Sequence, residues 1–188
     1  MDTISTTISN ALYCLVENPE YQDRLYEELT TLYPDKELGY GRKESPLLGA
    51  VLSESQRMYP IINLLFRKAT NPMRIKNLSV KAGDIIGIDI FSLQNSPEYW
   101  EDAHLFKPER FLEAGVQASH NDVYLPFGCG PRTCIAARMA TVQCHFVLAK
   151  IILTYRIRRT KRTELKFAKI PHQLVYPSLV IDFQKRNN

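Results

Sequence analysis

Apolar positions recur at helical spacing through the first third of the chain. Ile4, Ile8, Leu12, Leu15 and Val16 fall on one stripe and predict a helix over residues 2–16. Asn18-Pro19 closes it and opens another, with Asn18 as the expected cap and Pro19 in the first turn. Over 19–32, Leu25, Leu29 and Leu32 share a face and charges occupy the other, with Glu20 and Arg24 spaced to pair along the helix. A polar stretch, 33–45, holds Pro34, Gly39 and Gly41 and reads as a loop. Ser45-Pro46 then starts a third helix, 46–59, with Leu47, Leu48, Val51, Leu52 and Met58 inward and Pro60 as its stop.

The period changes after Pro60. Leu64–Ala69, Met73–Ile75, Leu78–Val80 and Asp84–Ser92 read as short strands separated by Asn71-Pro72, Lys76-Asn77 and Ala82-Gly83. Ile85, Ile86, Ile88 and Ile90 suit a buried strand, and the whole stretch suits one small antiparallel sheet. Residues 93–125 are rich in loops, with a short helix start near Pro97. A long helix is expected over 135–154, carrying Met139, Val142, Phe146, Leu148, Ile151 and Ile152. The basic run from Arg156 through Arg158, Arg159, Lys161, Arg162 and Lys166 to Lys169 reads as a solvated strand or loop face, and 172–183 as a closing hairpin. The pattern is that of a mainly α chain with a small antiparallel β component.

Composition narrows the function classes. At 188 residues, 45% apolar and 23% charged, the chain is long enough for one domain with a core, and it is not disordered in character. A net charge of +4 is too mild to argue for nucleic acid. No apolar run is long enough to span a bilayer, and residues 1–17 do not read as a signal peptide. Cys14, Cys129, Cys134 and Cys144 form no CxxC pair and no disulfide framework, which fits a reducing compartment. A zinc site from Cys129, Cys134, Cys144 and His145 is conceivable by composition, but its spacing matches no usual zinc pattern. His104, His120 and His172 stand alone in polar contexts and read as surface residues.

The richest chemistry lies in Pro126-Phe127-Gly128-Cys129-Gly130-Pro131-Arg132-Thr133-Cys134-Ile135-Ala136. Glycines and prolines make a tight loop that presents Cys134 at the mouth of the long helix. Free N–H groups at a helix start and the cation of Arg132 favour a thiolate, the form that ligates metals. The loop resembles the haem-binding signature of the cytochrome P450 family, Phe-x-x-Gly-x-Arg-x-Cys-x-Gly. Phe127, Gly130, Arg132 and Cys134 match it, and Ala136 stands where glycine is usual. Glu54 and Arg57 match the family's Glu-x-x-Arg, and Arg110 the arginine of Pro-Glu-Arg-Phe. The motifs stand in the family's order, and the wording of 95–100 and 107–111 is most similar to microsomal, animal-type members.

The resemblance implies the following. Residues 1–188 are one incomplete cytochrome P450 domain, made of a distal-helix remnant (1–17), the Glu-x-x-Arg helix (46–59), the small sheet (64–92) and the cysteine loop with its following helix (126–154). The cofactor is haem b, with Cys134 as axial ligand to iron and Arg132 on a propionate; Phe127, Gly128, Gly130 and Ala136 shape the loop against it. Glu54, Arg57 and Arg110 form a buried charge cluster that supports the loop, and Asp2 and Thr3 take part in oxygen activation. Ile4 stands where a second hydroxyl is common, and Leu64 where related members place a propionate-binding arginine, with Arg67 out of register. The activity implied is a monooxygenase that hydroxylates a small apolar substrate. Its electrons come from an NADPH-dependent reductase, with a small haem electron carrier as a further donor. The full-length parent is expected on the cytosolic face of the endoplasmic reticulum membrane, held by an N-terminal anchor. The chain itself is expected to be an inactive truncated fragment whose opening helix exposes its apolar stripe; the alternative is a non-catalytic product acting as an interaction module or without function.

Overall fold

The computed structural model describes residues 2–38, 45–112, 122–164 and 179–186. Helices α1 (Asp2–Glu17), α2 (Pro19–Leu32) and α3 (Pro46–Met58) come first. Strands β1 (Leu64–Lys68), β2 (Met73–Ile75), β3 (Leu78–Val80) and β4 (Ile85–Asp89) follow, then a short helix α4 (Ile90–Asn95). Two 3-10 turns, Pro108–Phe111 and Gly130–Arg132, lead to the long helix α5 (Ala137–Thr154). Strands β5 (Tyr155–Arg159) and β6 (Ile181–Lys185) close the order.

One core joins α1, α2, α3 and α5. Leu12, Leu15 and Val16 of α1 meet Leu25 and Leu29 of α2, Leu48, Val51 and Leu52 of α3, and Leu148, Ile152 and Leu153 of α5. Each such leucine removed from water is worth about 1.5–3 kcal/mol, so this four-helix contact is the main source of cohesion. The apolar stripe of α1 is therefore not exposed, as its sequence position suggested. Its lower half is buried, and Ile4 and Ile8 lie partly buried against the same core. Ile157 of β5 completes the floor, and β5 and β6 pair antiparallel with Tyr155 opposite Lys185.

Local chemistry sets the helix ends. Ser45 accepts the Leu48 N–H at 3.2 Å and caps α3, with Pro46 in its first turn. Asn18 does not cap α2. Its side-chain amide donates to the Cys14 carbonyl at 2.8 Å, satisfying the end of α1. Arg24 turns away from Glu20 and pairs with Glu109 at 2.6 Å, because the Pro108–Phe111 turn is packed beside α2.

The β region differs from the expected single sheet. Among the described residues there are three two-stranded antiparallel pairs, β1–β4, β2–β3 and β5–β6. The run Asp84–Ser92 is not one strand. It breaks after Asp89, whose carboxylate accepts the Ser92 N–H at 2.9 Å and starts α4. Ile85 is 72% exposed and Ile88 is exposed too, since a two-stranded ribbon that no layer of the described residues covers on that face cannot bury alternate residues. Ile90 alone reaches the interior, from α4. Of the basic run, Arg156 pairs with Asp23 and Arg159 with Glu17, both at 2.8 Å, so the β5 face is solvated yet partly neutralised. Within the expected 172–183 hairpin, 172–178 lie outside the described residues, as do Gly39, Gly41, His120, Lys166, Lys169 and His172. The described part, β6, pairs back to β5. His104 is exposed. No helix among the described residues is long and apolar enough to cross a membrane.

Candidate functional site

The cysteine loop is built from backbone bonds. The Leu125 carbonyl accepts the Gly128 N–H at 3.1 Å, and the Phe127 carbonyl accepts the Cys134 N–H at 2.9 Å. The Gly130 carbonyl accepts the Thr133 N–H at 3.0 Å, and the Thr133 hydroxyl donates to the Phe127 carbonyl at 3.3 Å. The loop thus closes on itself, and two turns of it require left-handed backbone. Gly128 sits at φ 72° and Gly130 at φ 69°, angles that cost a residue with a Cβ about 1–2 kcal/mol. The glycines in the sequence are there for this geometry.

The helix does not begin at Ile135, where the apolar run opens. It begins at Ala137, and the Cys134 carbonyl accepts the Ala137 N–H at 3.3 Å. Cys134 therefore precedes α5 by a turn. Its thiol is exposed, as is the neighbouring Arg132. Ile135 is fully exposed, and Met139, Val142 and Phe146 continue an exposed apolar stripe down α5 from the loop. Phe127, Gly128 and Ala136 are half-buried, and nothing lies within 4 Å of a Cβ built on Gly130.

A second, buried array lies between α3, α4 and the Pro108–Phe111 turn. Arg57 donates from Nε to Glu54 Oε2 at 2.8 Å and from Nη2 to Glu54 Oε1 at 2.9 Å, a two-pronged contact with both side chains fully buried. Its remaining donors reach the carbonyls of Gln94 at 2.9 Å and Ala103 at 2.8 Å, and its guanidinium lies 5.3 Å from the Trp100 ring centre. Glu54 Oε1 also accepts the Lys107 N–H at 3.0 Å and Arg110 Nε at 3.3 Å. Arg110 is the rim of the cluster, its side chain 12% exposed, and it donates to the Asp102 carbonyl at 3.0 Å. Glu54 and Arg57, one helical turn apart, are thus brought together with Arg110, 56 positions from Glu54. From the pair's spacing alone a surface contact worth little was the ordinary expectation; burial and the two-pronged geometry place it in another regime.

Two further contacts tie the array to neighbouring chain. Tyr124 donates to the Ser53 carbonyl at 3.1 Å and stacks on Phe111 with ring centres 4.9 Å apart. On the other side, Glu109 accepts Tyr21 at 2.6 Å and Arg24 at 2.6 Å. Burial alone would raise the Glu109 carboxyl, but these two bonds outweigh it and hold the group below the usual carboxylate range. Tyr21, Gln94 and Tyr124 carry no motif, so spacing could not have found them. Their one signal is a polar side chain set among apolar neighbours.

The other expected site residues are placed less centrally. Thr3 is exposed in the first turn of α1, its carbonyl accepting the Thr7 hydroxyl at 2.9 Å. The side chain of Asp2 lies outside what is described. Arg67 is committed to the Phe66 carbonyl at 2.9 Å. Cys14 and Cys144 are buried in the helical core. Burial pushes the Cys144 thiol up to about 11 and raises that of Cys14 too, with the Glu54 charge adding to it. Among the described residues no three His, Cys, Asp or Glu side chains gather for a metal, so the four-ligand zinc arrangement does not form.

Comparison with known proteins adds the following. The family model described as cytochrome P450 matches residues 1–183. The chain is 34% identical to cytochrome P450 3A31 of Mesocricetus auratus, an alignment covering 87% of this chain and 33% of that protein. It is 30% identical to cytochrome P450 3A19 of Capra hircus aegagrus over 94% of this chain and 82% of that one. The probable cytochrome P450 6a13 of Drosophila melanogaster is 36% identical, over 89% of this chain and 35% of the relative. The chain thus spans about a third of the length of the hamster and fly relatives.

Proposed function

Because the chain belongs to the cytochrome P450 family, we propose that it carries the thiolate ligand and the supporting frame of a haem-thiolate monooxygenase acting on an apolar organic substrate. The observation that carries the reading is the placement of Cys134. Its thiol is exposed on a self-bonded loop, and Leu125, from which that loop is built, is bonded through Gln94 to a buried ion cluster.

The residues present suit haem. The donor is a single soft thiol, the right kind for iron in a porphyrin. Ile135 and Met139 offer exposed apolar surface beside it, which a macrocycle would cover. Arg132, exposed two residues before Cys134, is the cation for a propionate. Haem held by a thiolate supplies the activation of O₂ and its insertion into a substrate bond.

The chain's own residues do the rest. Cys134 would be the thiolate ligand to the iron, and its backbone is fixed by the bond from its N–H to the Phe127 carbonyl. Gly128 and Gly130 supply the left-handed backbone that the loop needs. Phe127 and Ala136, both half-buried, flank the cysteine in the loop. Glu54, Arg57 and Arg110 hold the chain before the loop rigid, so the sulfur cannot drift. Asp2 and Thr3, at the start of α1, are assigned to proton delivery. The four elements named for residues 1–17, 46–59, 64–92 and 126–154 act as one domain, in our reading part of a longer protein at the endoplasmic reticulum membrane. Electrons reach it from an NADPH-dependent reductase.

The test is direct. The chain is expressed with a haem supply, reduced, exposed to carbon monoxide and examined by absorption spectroscopy. A red-shifted Soret band in the unaltered chain and its loss in Cys134→Ser are expected. Haem uptake with the same spectrum in both would overturn the assignment of the ligand. Equimolar zinc in place of haem would overturn the reading altogether.

A further inference from the structure

We propose that Gln94 is a positioning residue that sets where the cysteine loop begins, and so where Cys134 is presented. This deepens the reading of Cys134 as the haem ligand and rests on it.

Gln94 sits in the six-residue helix α4 and is fully buried. Every polar atom of its side chain is used. Nε2 donates to the Gln56 carbonyl at 3.0 Å and to the Arg57 carbonyl at 3.2 Å, both near the C-terminal end of α3. Oε1 accepts the Leu125 N–H at 2.8 Å. Its backbone carbonyl accepts Arg57 Nη1 at 2.9 Å. Only one orientation of the amide satisfies this set; the reversed one would face NH₂ to N–H and oxygen to carbonyls. A buried amide so placed works as a spacer of fixed length between two backbones.

The two backbones are the ones that matter. One end is the helix that carries Glu54 and Arg57. The other is Leu125, the residue from which the loop is built. The Leu125 carbonyl accepts Gly128 N–H at 3.1 Å, and two residues on the Phe127 carbonyl accepts Cys134 N–H at 2.9 Å. A line of three hydrogen bonds therefore runs from Gln94 to the cysteine. Of the cluster, Arg57 is the member bonded to Gln94, donating from Nη1 to its backbone carbonyl, and Glu54 and Arg110 connect through Arg57; none of the bonds described for them reaches the loop. The ion cluster thus reaches Cys134 by way of Gln94, together with the Tyr124 hydroxyl bond to Ser53.

The experiment compares the unaltered chain with Gln94→Met, which keeps the volume and removes every side-chain bond, and Gln94→Glu, which keeps the acceptor for Leu125. Amide hydrogen exchange is followed in the haem-free chain, with the core amides of α1 as internal reference. In Gln94→Met the Leu125 and Cys134 amides are expected to exchange at least tenfold faster than in the unaltered chain while the reference amides move less than threefold. In Gln94→Glu the Leu125 amide is expected to stay within threefold of the unaltered chain. Loop and reference amides speeding up together would mean a stability effect only, and would overturn the proposal. Should Gln94→Met fail to fold, the unaltered chain still decides: a Leu125 amide exchanging as fast as in an unstructured peptide of the same sequence sinks the idea. In the haem-loaded chain, Gln94→Met is expected to lose at least half of the thiolate Soret band. No thiolate band in the unaltered chain would defeat the ligand assignment and leave the exchange result to judge Gln94 alone.

Discussion

Replacing Glu54 by Gln changes one oxygen to an NH₂ and leaves the volume of the side chain almost untouched. The effect expected is nevertheless large. Arg57 would keep its full charge at a site with no exposure, facing a neutral amide that can accept only one of its two former bonds. The Lys107 N–H and Arg110 Nε would compete for the same remaining oxygen. Breaking a buried pair by removing one partner costs about 3–5 kcal/mol. Domains of this size have a net stability of about 5–15 kcal/mol, so about a fifth or more of the total would be lost. With a urea m-value of about 2 kcal/mol/M, the midpoint should fall by roughly 1.5–2.5 M. The assay is urea unfolding followed by circular dichroism. The exposed Arg24–Glu109 pair, both partners nearly half exposed, is the control: Arg24→Gln should cost about 0.2–1 kcal/mol. A double variant, Glu54→Met with Arg57→Met, should cost less than the sum of the two single changes, since it leaves no charge stranded. If Glu54→Gln moved the midpoint no further than Arg24→Gln does, the claim that burial governs this pair would be wrong.

Three other measurements follow from the same structure. Iodoacetamide should label Cys129 and Cys134 quickly in the folded chain and leave Cys14 and Cys144 unreacted until denaturant is added, as read by mass spectrometry; the buried thiols are shielded and held as thiols by desolvation. The lowered Glu109 carboxyl adds stability that is present above its unfolded value and lost as pH falls through its folded one, so Glu109→Gln should be the less stable chain at about pH 7 and should lose less stability than the unaltered chain between about pH 7 and about pH 3, as read by urea unfolding at each pH. Leu148→Ala should lower stability by about 2–5 kcal/mol, whereas Phe146→Ala two residues earlier, on the exposed side of α5, should change it by less than about 1 kcal/mol.

The α3 helix and its caps illustrate what can be read locally. Ser45, Pro46 and the Leu47–Leu52 spacing act within a few residues, and the structure places the helix where they put it. The cysteine loop is similar, because Gly128 and Gly130 are needed at left-handed angles whatever surrounds them. The strand Asp84–Ser92 shows where local pattern fails. Isoleucines alternate there, but alternation is only a disposition to be half-buried, and no layer of the described residues covers that face.

By itself, then, the order of residues determined the helices, the tight glycine loop with its thiol, and the family to which the motifs belong. These depend on torsional preference, capping and spacing, all of them short-range. Tertiary structure alone decided that Glu54 and Arg57 are buried, that Arg24 answers Glu109 and not Glu20, and that Gln94 bridges α3 to Leu125. The reason is that burial and partner choice belong to the space between elements: a charge or an amide acquires its energy from what packs around it, and the neighbours that do so lie as many as 142 positions away along the chain.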